Sequence, residues 1–415
     1  MVKALYSILV FAPEFPPFNN PEALVNGKLV LALHEAGHKC RIISSKRTEE
    51  SLEQCWSGIA DGIVTVPWRY PASRLRRIVQ RITYFLSTGL WCCDSMCYKE
   101  FYCAGKELCR HEKFDVILCR CGSFSALIAA RKLHEEFGIP FVANINDPFL
   151  PYPPSGGWLT KSSYRWKYGR LRRFLADAAA VTFPCAELME YERRWLKWSD
   201  ASKFEIVPHI AYPANGSPSE KHRTGRINVV YSGGLGKSRP LFFFIKAMAV
   251  FAEKHPEVDF RMTFAGTAPQ ESEFELIRSS GLEKRFVFLG RIPYSQSMAL
   301  LQQADIVMII EAKLPYGIYF PSKLVDILQA GKKILSLSPR NGTLRNMNDR
   351  YHFGTVVDNE DFEDVCKGVE QALLSCREGV PDAGSKRNEM LKYLADTPIE
   401  VYEKIFESLK ERKNA

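Results

Sequence analysis

The chain has 415 residues, 46% of them hydrophobic and 25% charged, a balance that excludes a disordered chain, a collagen, a coiled coil and a disulfide-stapled miniprotein. At about 150 residues per domain the length predicts two domains, each able to bury a core without disulfides or metals. The 56 basic and 47 acidic residues leave a net charge of +9, which suits an anionic small ligand or an anionic membrane surface as well as it suits nucleic acid.

Nine of the twelve cysteines fall between Cys40 and Cys121. Their spacings match no paired zinc pattern, so they read as reduced thiols. The apolar run Ile8–Ala12 is too short for a secretory leader and soon meets Glu14. No stretch approaches the roughly 20 apolar residues that cross a bilayer, Ile82–Cys93 being the nearest. These features predict a cytoplasmic protein.

In chain order, Ser7–Phe11 reads as a strand, 13–20 as a loop, Ala23–Glu35 as a helix ending at Gly37, and Arg41–Ile43 as the next strand. This is a βαβ unit, which predicts a parallel sheet. The alternation continues through strands Asp115–Cys119, Pro140–Ile145, Ala178–Phe183 and Lys203–Val207, with helices at Phe124–Phe137 and Ala186–Lys197. It predicts a first doubly wound domain over 1–212. Residues 213–226, rich in Pro, Gly, Ser and Asn, predict a linker.

A second series, 227–396, has strands at Asn228–Tyr231, Asp259–Ala265, Phe286–Leu289, Asp305–Ile310 and Lys333–Leu337. Helices alternate with them at Leu241–His255, Ser295–Ala304 and Ser322–Gln329. The tail 397–415 predicts a charged amphipathic helix over Pro398–Arg412, packing back on the first domain. The fold class is therefore α/β: two Rossmann-like doubly wound domains facing a deep interdomain cleft, with ligands at the strand C-termini.

Two loops carry chemistry. Tyr231-Ser232-Gly233-Gly234-Leu235-Gly236-Lys237-Ser238 contains Gly-Lys-Ser, but a phosphate-cradling P-loop needs glycine where Tyr231 stands. A dinucleotide fingerprint needs a third glycine where Arg239 stands. The bare amides of Gly233, Gly234 and Gly236 can still approach an anion, with Lys237 and Arg239 beside them. The second loop leads into Pro321-Ser322-Lys323-Leu324-Val325-Asp326. Pro321 suits a first helical turn, and the amides of Ser322 and Lys323 then point out of a helix N-terminus that favours phosphate. Asp326, one turn in, can accept hydrogen bonds from a sugar diol. A plain turn and a capped surface helix with a Lys323–Asp326 ion pair are the alternative readings.

The order of these two loops, with Ala330-Gly331-Lys332 after the second, resembles the retaining glycosyltransferases of the GT-B fold, family four. Ala12-Pro13-Glu14-Phe15-Pro16-Pro17, Leu33-His34-Glu35-Ala36-Gly37-His38, Asn146-Asp147-Pro148-Phe149, Ile206-Val207-Pro208-His209 and Ala304-Asp305-Ile306-Val307 resemble further family segments. The resemblance implies that Arg239 and Lys237 bind the donor diphosphate, that the Ser322 and Lys323 amides assist, and that Asp326 holds the ribose. It also implies a mechanism in which the diphosphate leaves through an oxocarbenium-like state while an acceptor hydroxyl attacks from the same face, with charge stabilisation as the main protein contribution.

The sequence departs from the family pattern at three points. Gly234 stands where the family often has arginine, and Ile318 where it has the first of two acids. Asn19-Asn20 replaces a glycine pair. The second departure leaves sugar recognition to the loop Glu311–Phe320, Glu311 included. Asp147, after a strand end, is a catalytic or acceptor-orienting candidate or else an Asx-type turn before proline. The acceptor-side candidates are Pro17, Asn19, Asn20, Ser123 and His209.

No Asp-x-Asp triplet occurs, so metal-dependent neutralisation of a diphosphate is not expected, nor is a cofactor other than the nucleotide-sugar substrate. Basic-aromatic stretches at 69–91 and 161–173 suit contact with an anionic membrane and a polyprenyl-linked or other glycan acceptor. No nucleic-acid partner is expected. An epimerase on the same architecture and a non-catalytic nucleotide-sugar-binding subunit are the competing functions.

Overall fold

The computed structural model describes residues 4–46, 50–67, 73–89, 98–121, 124–154, 157–200, 202–212, 225–236, 238–379 and 385–414. The chain divides into two compact units, Met1–Tyr212 with Ala395–Ala415, and Pro213–Leu394. Most of the expected linker, 213–224, lies outside the described residues, as do Ser123 and Lys237 and parts of 69–91.

In chain order the first unit contains β1 (Ser7–Phe11), α1 (Pro21–Glu35), β2 (Lys39–Lys46), a 3-10 helix (Gln54–Gly62), β3 (Ile63–Pro67), α2 (Arg74–Thr88), α3 (Tyr98–His111), β4 (Val116–Arg120) and α4 (Phe124–Phe137). There follow β5 (Phe141–Asn144), α5 (Trp158–Ala176), β6 (Ala180–Phe183), α6 (Ala186–Leu196) and β7 (Phe204–Ile206). The seven strands form one parallel sheet in the order β3-β2-β1-β4-β5-β6-β7. Parallel strands need crossover helices, and those helices cover both sheet faces. That is why Ile8–Phe11 of β1 and Val116–Cys119 of β4 read as apolar runs and are buried.

The second unit contains β8 (Ile227–Gly233), α7 (Phe242–Lys254), β9 (Phe260–Gly266), α8 (Glu271–Ser279), β10 (Phe286–Phe288), α9 (Tyr294–Gln303) and β11 (Ile306–Ile310). It continues through α10 (Ser322–Gln329), β12 (Lys333–Ser338), α11 (Thr343–Tyr351), β13 (Thr355–Asp358) and α12 (Phe362–Arg377). Its six parallel strands run β10-β9-β8-β11-β12-β13. Phe244, Phe260, Met262, Ile306 and Val365 fill its core. In both sheets the strand order reverses beside the first strand of the unit, between β1 and β4 and between β8 and β11. A crevice opens at the strand C-termini of such a switch point. The glycine loop follows β8 and Glu311 follows β11, so the switch point of the second unit brings the sequence candidates together.

The last helix, α13, runs from Arg387 to Asn414 and contains Pro398. The sequence placed Pro398 at the helix start, where its missing N–H costs nothing. Here the helix passes through it and forgoes one backbone hydrogen bond. The segment from Ala395 onward is held by packing in the first unit. Tyr402 and Phe406 are fully buried, Phe406 lies 5.4 Å from the Tyr6 ring, and His38 meets Glu403 at 3.0 Å. Burial of a phenylalanine of this kind contributes roughly 2 kcal/mol.

Candidate functional site

The site grows from the end of β8. The Tyr231 hydroxyl donates to the Gly234 carbonyl at 3.0 Å. The Leu235 N–H donates to Thr267 Oγ1 at 2.6 Å, and the Thr267 hydroxyl donates back to the Leu235 carbonyl at 2.9 Å. The Arg239 N–H closes the loop on the Gly236 carbonyl at 2.9 Å. Glycine is required by packing here. At Gly266, whose φ is +132°, a Cβ would collide with the Gly233 carbonyl. A Cβ on Gly233 would stand 2.6 Å from both Lys323 Nζ and the Tyr231 hydroxyl.

The amide before α7 is already occupied. The buried carboxylate of Glu273 accepts from the N–H of Leu241, and also from that of Gln270 at 2.8 Å. A ligand anion therefore has its free helix start elsewhere, at α10. Pro321 is the N-cap of α10 rather than a residue of its first turn, and it offers no side-chain cap to the amides behind it.

Three ties fix this helix and the loop before it, two of them to the glycine loop and one to the start of α11. The Lys313 N–H donates to the Ser238 carbonyl at 2.9 Å. Gly317 pairs with the start of α11: its N–H meets the Asn341 carbonyl at 2.9 Å and its carbonyl receives the Thr343 N–H at 2.8 Å. The Lys323 ammonium reaches back and donates to the Ser232 carbonyl.

The electrostatics agree with this geometry. Burial pushes the Glu311 carboxyl up to about 7, while its hydrogen bond from Ser338 and the charge of Arg239 act the other way. Burial brings the Lys323 ammonium down to about 8, with Arg239 adding to the effect and Asp326 opposing it. Burial raises the Tyr231 phenol to about 12, and Arg239 again opposes. The guanidinium of exposed Arg239 thus acts on Glu311, Lys323 and Tyr231 together. Two cations and an N-terminal helix turn converge with one proton-holding acid, an arrangement suited to a multiply charged anion.

Asp326 is buried on α10, and the Tyr294 hydroxyl lies 3.4 Å from its Oδ1. Gly233, Gly234, Gly236, Arg239, Glu311, Ser322, Lys323 and Asp326 therefore share one end of the second sheet. The residues missed from sequence are Thr267, Glu273, Tyr294 and Ser338. Only Glu273 had a readable signal, the Gln270-x-x-Glu273 capping box.

The acceptor-side candidates lie in the first unit. Asn20 caps α1, accepting the Ala23 N–H at 2.8 Å, and its amide nitrogen donates to Glu14. Pro16 packs against the helix where a Cβ on Gly27 would lie 2.7 Å from Pro16 Cγ, and Pro17 next to it is half-buried. Asn19 is exposed and His209 is buried. Asp147 is exposed in the loop after β5. That loop is held on either side, by Asn146 donating to both oxygens of Glu22 at 3.0 Å and by the Phe149 N–H donating to Glu192 at 3.2 Å.

Residues 215–390 match the family described as Glycosyl transferases group 1. No curated protein sequence matches the chain. Among solved structures, a glycosyltransferase from Rickettsia africae ESF-5 is 13% identical with a TM-score of 0.63, and 99% of each chain is covered. Sucrose-phosphate synthase from Thermosynechococcus elongatus is 15% identical with a TM-score of 0.63, covering 99% of this chain and 98% of that one. A UDP-N-acetylglucosamine 2-epimerase is 12% identical with a TM-score of 0.55, covering 97% of each. The chain has the GT-B fold, and the segment matched by the glycosyltransferase family is the one that holds the convergent cations.

Proposed function

We propose that the chain is a glycosyltransferase that takes a hexose from a nucleotide-sugar and transfers it to a hydroxyl of a glycan or polyprenyl-linked glycan during surface polysaccharide synthesis. The observation that carries this reading is the convergence of Arg239, Lys323 and the start of α10 at the switch point of the second sheet. Arg239 and Lys323 hold the diphosphate, with Lys237 as a third cation. The Ser322 and Lys323 amides add the positive end of the α10 dipole. Charge develops on the diphosphate as the glycosidic bond breaks, so fixed cations lower the barrier. Asp326 takes the ribose, Glu311 addresses the departing sugar, and Asp147 orients the acceptor. The transfer proceeds with retention and without metal, since no Asp-x-Asp triplet is available to carry one.

Incubation with UDP-, GDP- and dTDP-hexoses tests the reading. It expects release of nucleoside diphosphate that depends on an added acceptor and is lost in Arg239→Ala. Epimerised sugar without acceptor would favour the epimerase instead. Tight donor binding with no transfer to any acceptor pool would favour a binding subunit.

A further inference from the structure

The helix α2 carries an apolar stripe that the protein does not bury. Leu75, Ile78, Val79, Ile82 and Leu86 are 70%, 45%, 55%, 43% and 77% exposed. At 3.6 residues per turn these five fall within a sector of roughly 100°, a continuous face along the helix. The opposite side holds the helix on its unit through Tyr84, which is buried against Tyr98. Arg74 and Arg81 border the stripe on one side and Arg76 on the other, and the helix contains no acid. Exposed apolar patches of this continuity mark interaction surfaces.

The neighbouring helix α5 extends the surface. Trp166, 39% exposed, stacks on Phe85 of α2 at 5.6 Å, and the Arg170 guanidinium lies 5.8 Å from the Trp166 ring. Beside Leu86, a cavity of about 350 Å³ is lined by Phe85, Arg131, Arg170 and Arg173. Arg131 is neutralised by Asp177 at 2.7 Å and Glu135 at 3.2 Å. Among the described residues, no carboxylate pairs with Arg170 or Arg173. The stripe and the two arginines therefore present an apolar strip with an adjoining basic pocket.

We infer that α2 and the α2–α5 pocket dock the protein on an anionic phospholipid bilayer, the α2 stripe entering the acyl boundary and Arg170 and Arg173 receiving a lipid phosphate. The charge pattern selects this occupant. A helix lying in the interface needs apolar residues on one face and arginines along its edges, at headgroup level. A protein partner would more often be matched by mixed charges, and α2 and α5 carry none that are acidic. Among the described residues no helix is long and apolar enough to cross a membrane, so the contact is peripheral. The inference deepens the proposed function by naming the surface that supplies a lipid-linked acceptor, yet docking itself needs no turnover.

Cosedimentation of the full chain with phosphatidylcholine vesicles, with and without phosphatidylglycerol, tests it. The protein should pellet with the phosphatidylglycerol vesicles, and raised salt should weaken the binding. The combined variant Leu75→Ser, Ile82→Ser, Leu86→Ser should lower vesicle affinity at least tenfold with unchanged circular dichroism. Arg170→Gln with Arg173→Gln should lower it severalfold and remove the preference for phosphatidylglycerol. Wild-type protein that stays in the supernatant at low salt, or a triple variant that binds as well as wild type, overturns the inference. So does a dimer in sedimentation velocity that the triple variant breaks without any vesicle binding, because the stripe then belongs to a second copy. Stabilisation by inorganic phosphate in the absence of vesicle binding likewise overturns it. Titration with nucleoside diphosphate, run in parallel, separates failure of docking from failure of the proposed transferase activity.

Discussion

The Lys323 ammonium donates to the Ser232 carbonyl, across 91 residues of sequence. This single hydrogen bond ties the start of α10 to the end of β8 and sets the cation under the glycine loop. Lys323→Met should leave the Ser232 carbonyl without its donor and remove one of the cations proposed to hold the diphosphate. Its nucleoside-diphosphate affinity should fall at least tenfold by titration calorimetry, while its stability falls by about 1 to 2 kcal/mol in urea unfolding.

The lowered Lys323 pKa has a signature in pH. The folded protein gives up this proton near 8, below the ordinary value of 10.5. Diphosphate affinity should therefore decline as pH rises through about 8, and binding above that pH should take up a proton. The proton uptake is read as a buffer-dependent binding enthalpy. Lys323→Arg, charged throughout, should flatten the decline.

Arg239 is exposed and closes its loop with its backbone, not its side chain. Arg239→Ala should change folding stability by less than about 0.5 kcal/mol. It should lower transfer a hundredfold or more if the guanidinium stabilises the departing diphosphate. Thermal unfolding and initial rates measured on the same preparation separate the two effects.

Gly233→Ala tests the close packing from the other side. The added Cβ would stand 2.6 Å from Lys323 Nζ and from the Tyr231 hydroxyl, so one of them must move. The variant should lose about 1 to 3 kcal/mol of stability by denaturant unfolding, and diphosphate affinity should fall with the displaced lysine.

Glu192 gives a stability prediction independent of any ligand. It is fully buried on α6, receives the Tyr168 hydroxyl at 2.9 Å and the Phe149 N–H at 3.2 Å, and its Oε2 has no hydrogen-bond partner among the described residues. Burial pushes its carboxyl up to about 8, against the two hydrogen bonds. Between the ordinary value of 4.5 and about 8 the folded protein holds a proton that the unfolded chain has lost. This group's contribution to stability therefore falls as pH rises across that window. Glu192→Gln should show little change near pH 5, should gain on wild type steadily up to about pH 8 and should level off above it, as followed by melting temperature. A constant difference between the two proteins across that range would contradict the assignment.

The fold was legible because the parallel sheets write themselves as buried runs such as Ile-Leu-Val-Phe, separated by amphipathic helices and glycine stops. The strands β3 and β13 and the helices α2, α3, α5, α8, α11 and α12 were not placed. β3 is a short edge strand with weak alternation, and α2 turns its apolar residues outward, so its pattern marks no core. The glycine loop and the Pro321 helix were visible as local motifs, and their meeting followed from strand order. What local motifs could not supply were partners distant in sequence. Thr267 holds Leu235, Glu273 occupies the amide before α7, Tyr294 reaches Asp326, and the Lys323 side chain, which local spacing offers only an ion pair with Asp326, crosses to Ser232. Each is a contact between loops of different strands, and loop geometry depends on the whole sheet.

The most direct test is calorimetric titration of the wild-type protein, Arg239→Ala and Lys323→Met with UDP, GDP and dTDP. The account predicts that at least one nucleoside diphosphate binds wild type and that each substitution weakens it at least tenfold, with α10 intact by circular dichroism. If no nucleoside diphosphate binds, or if both variants bind as tightly as wild type, the cations gathered at the end of β8 serve some other purpose.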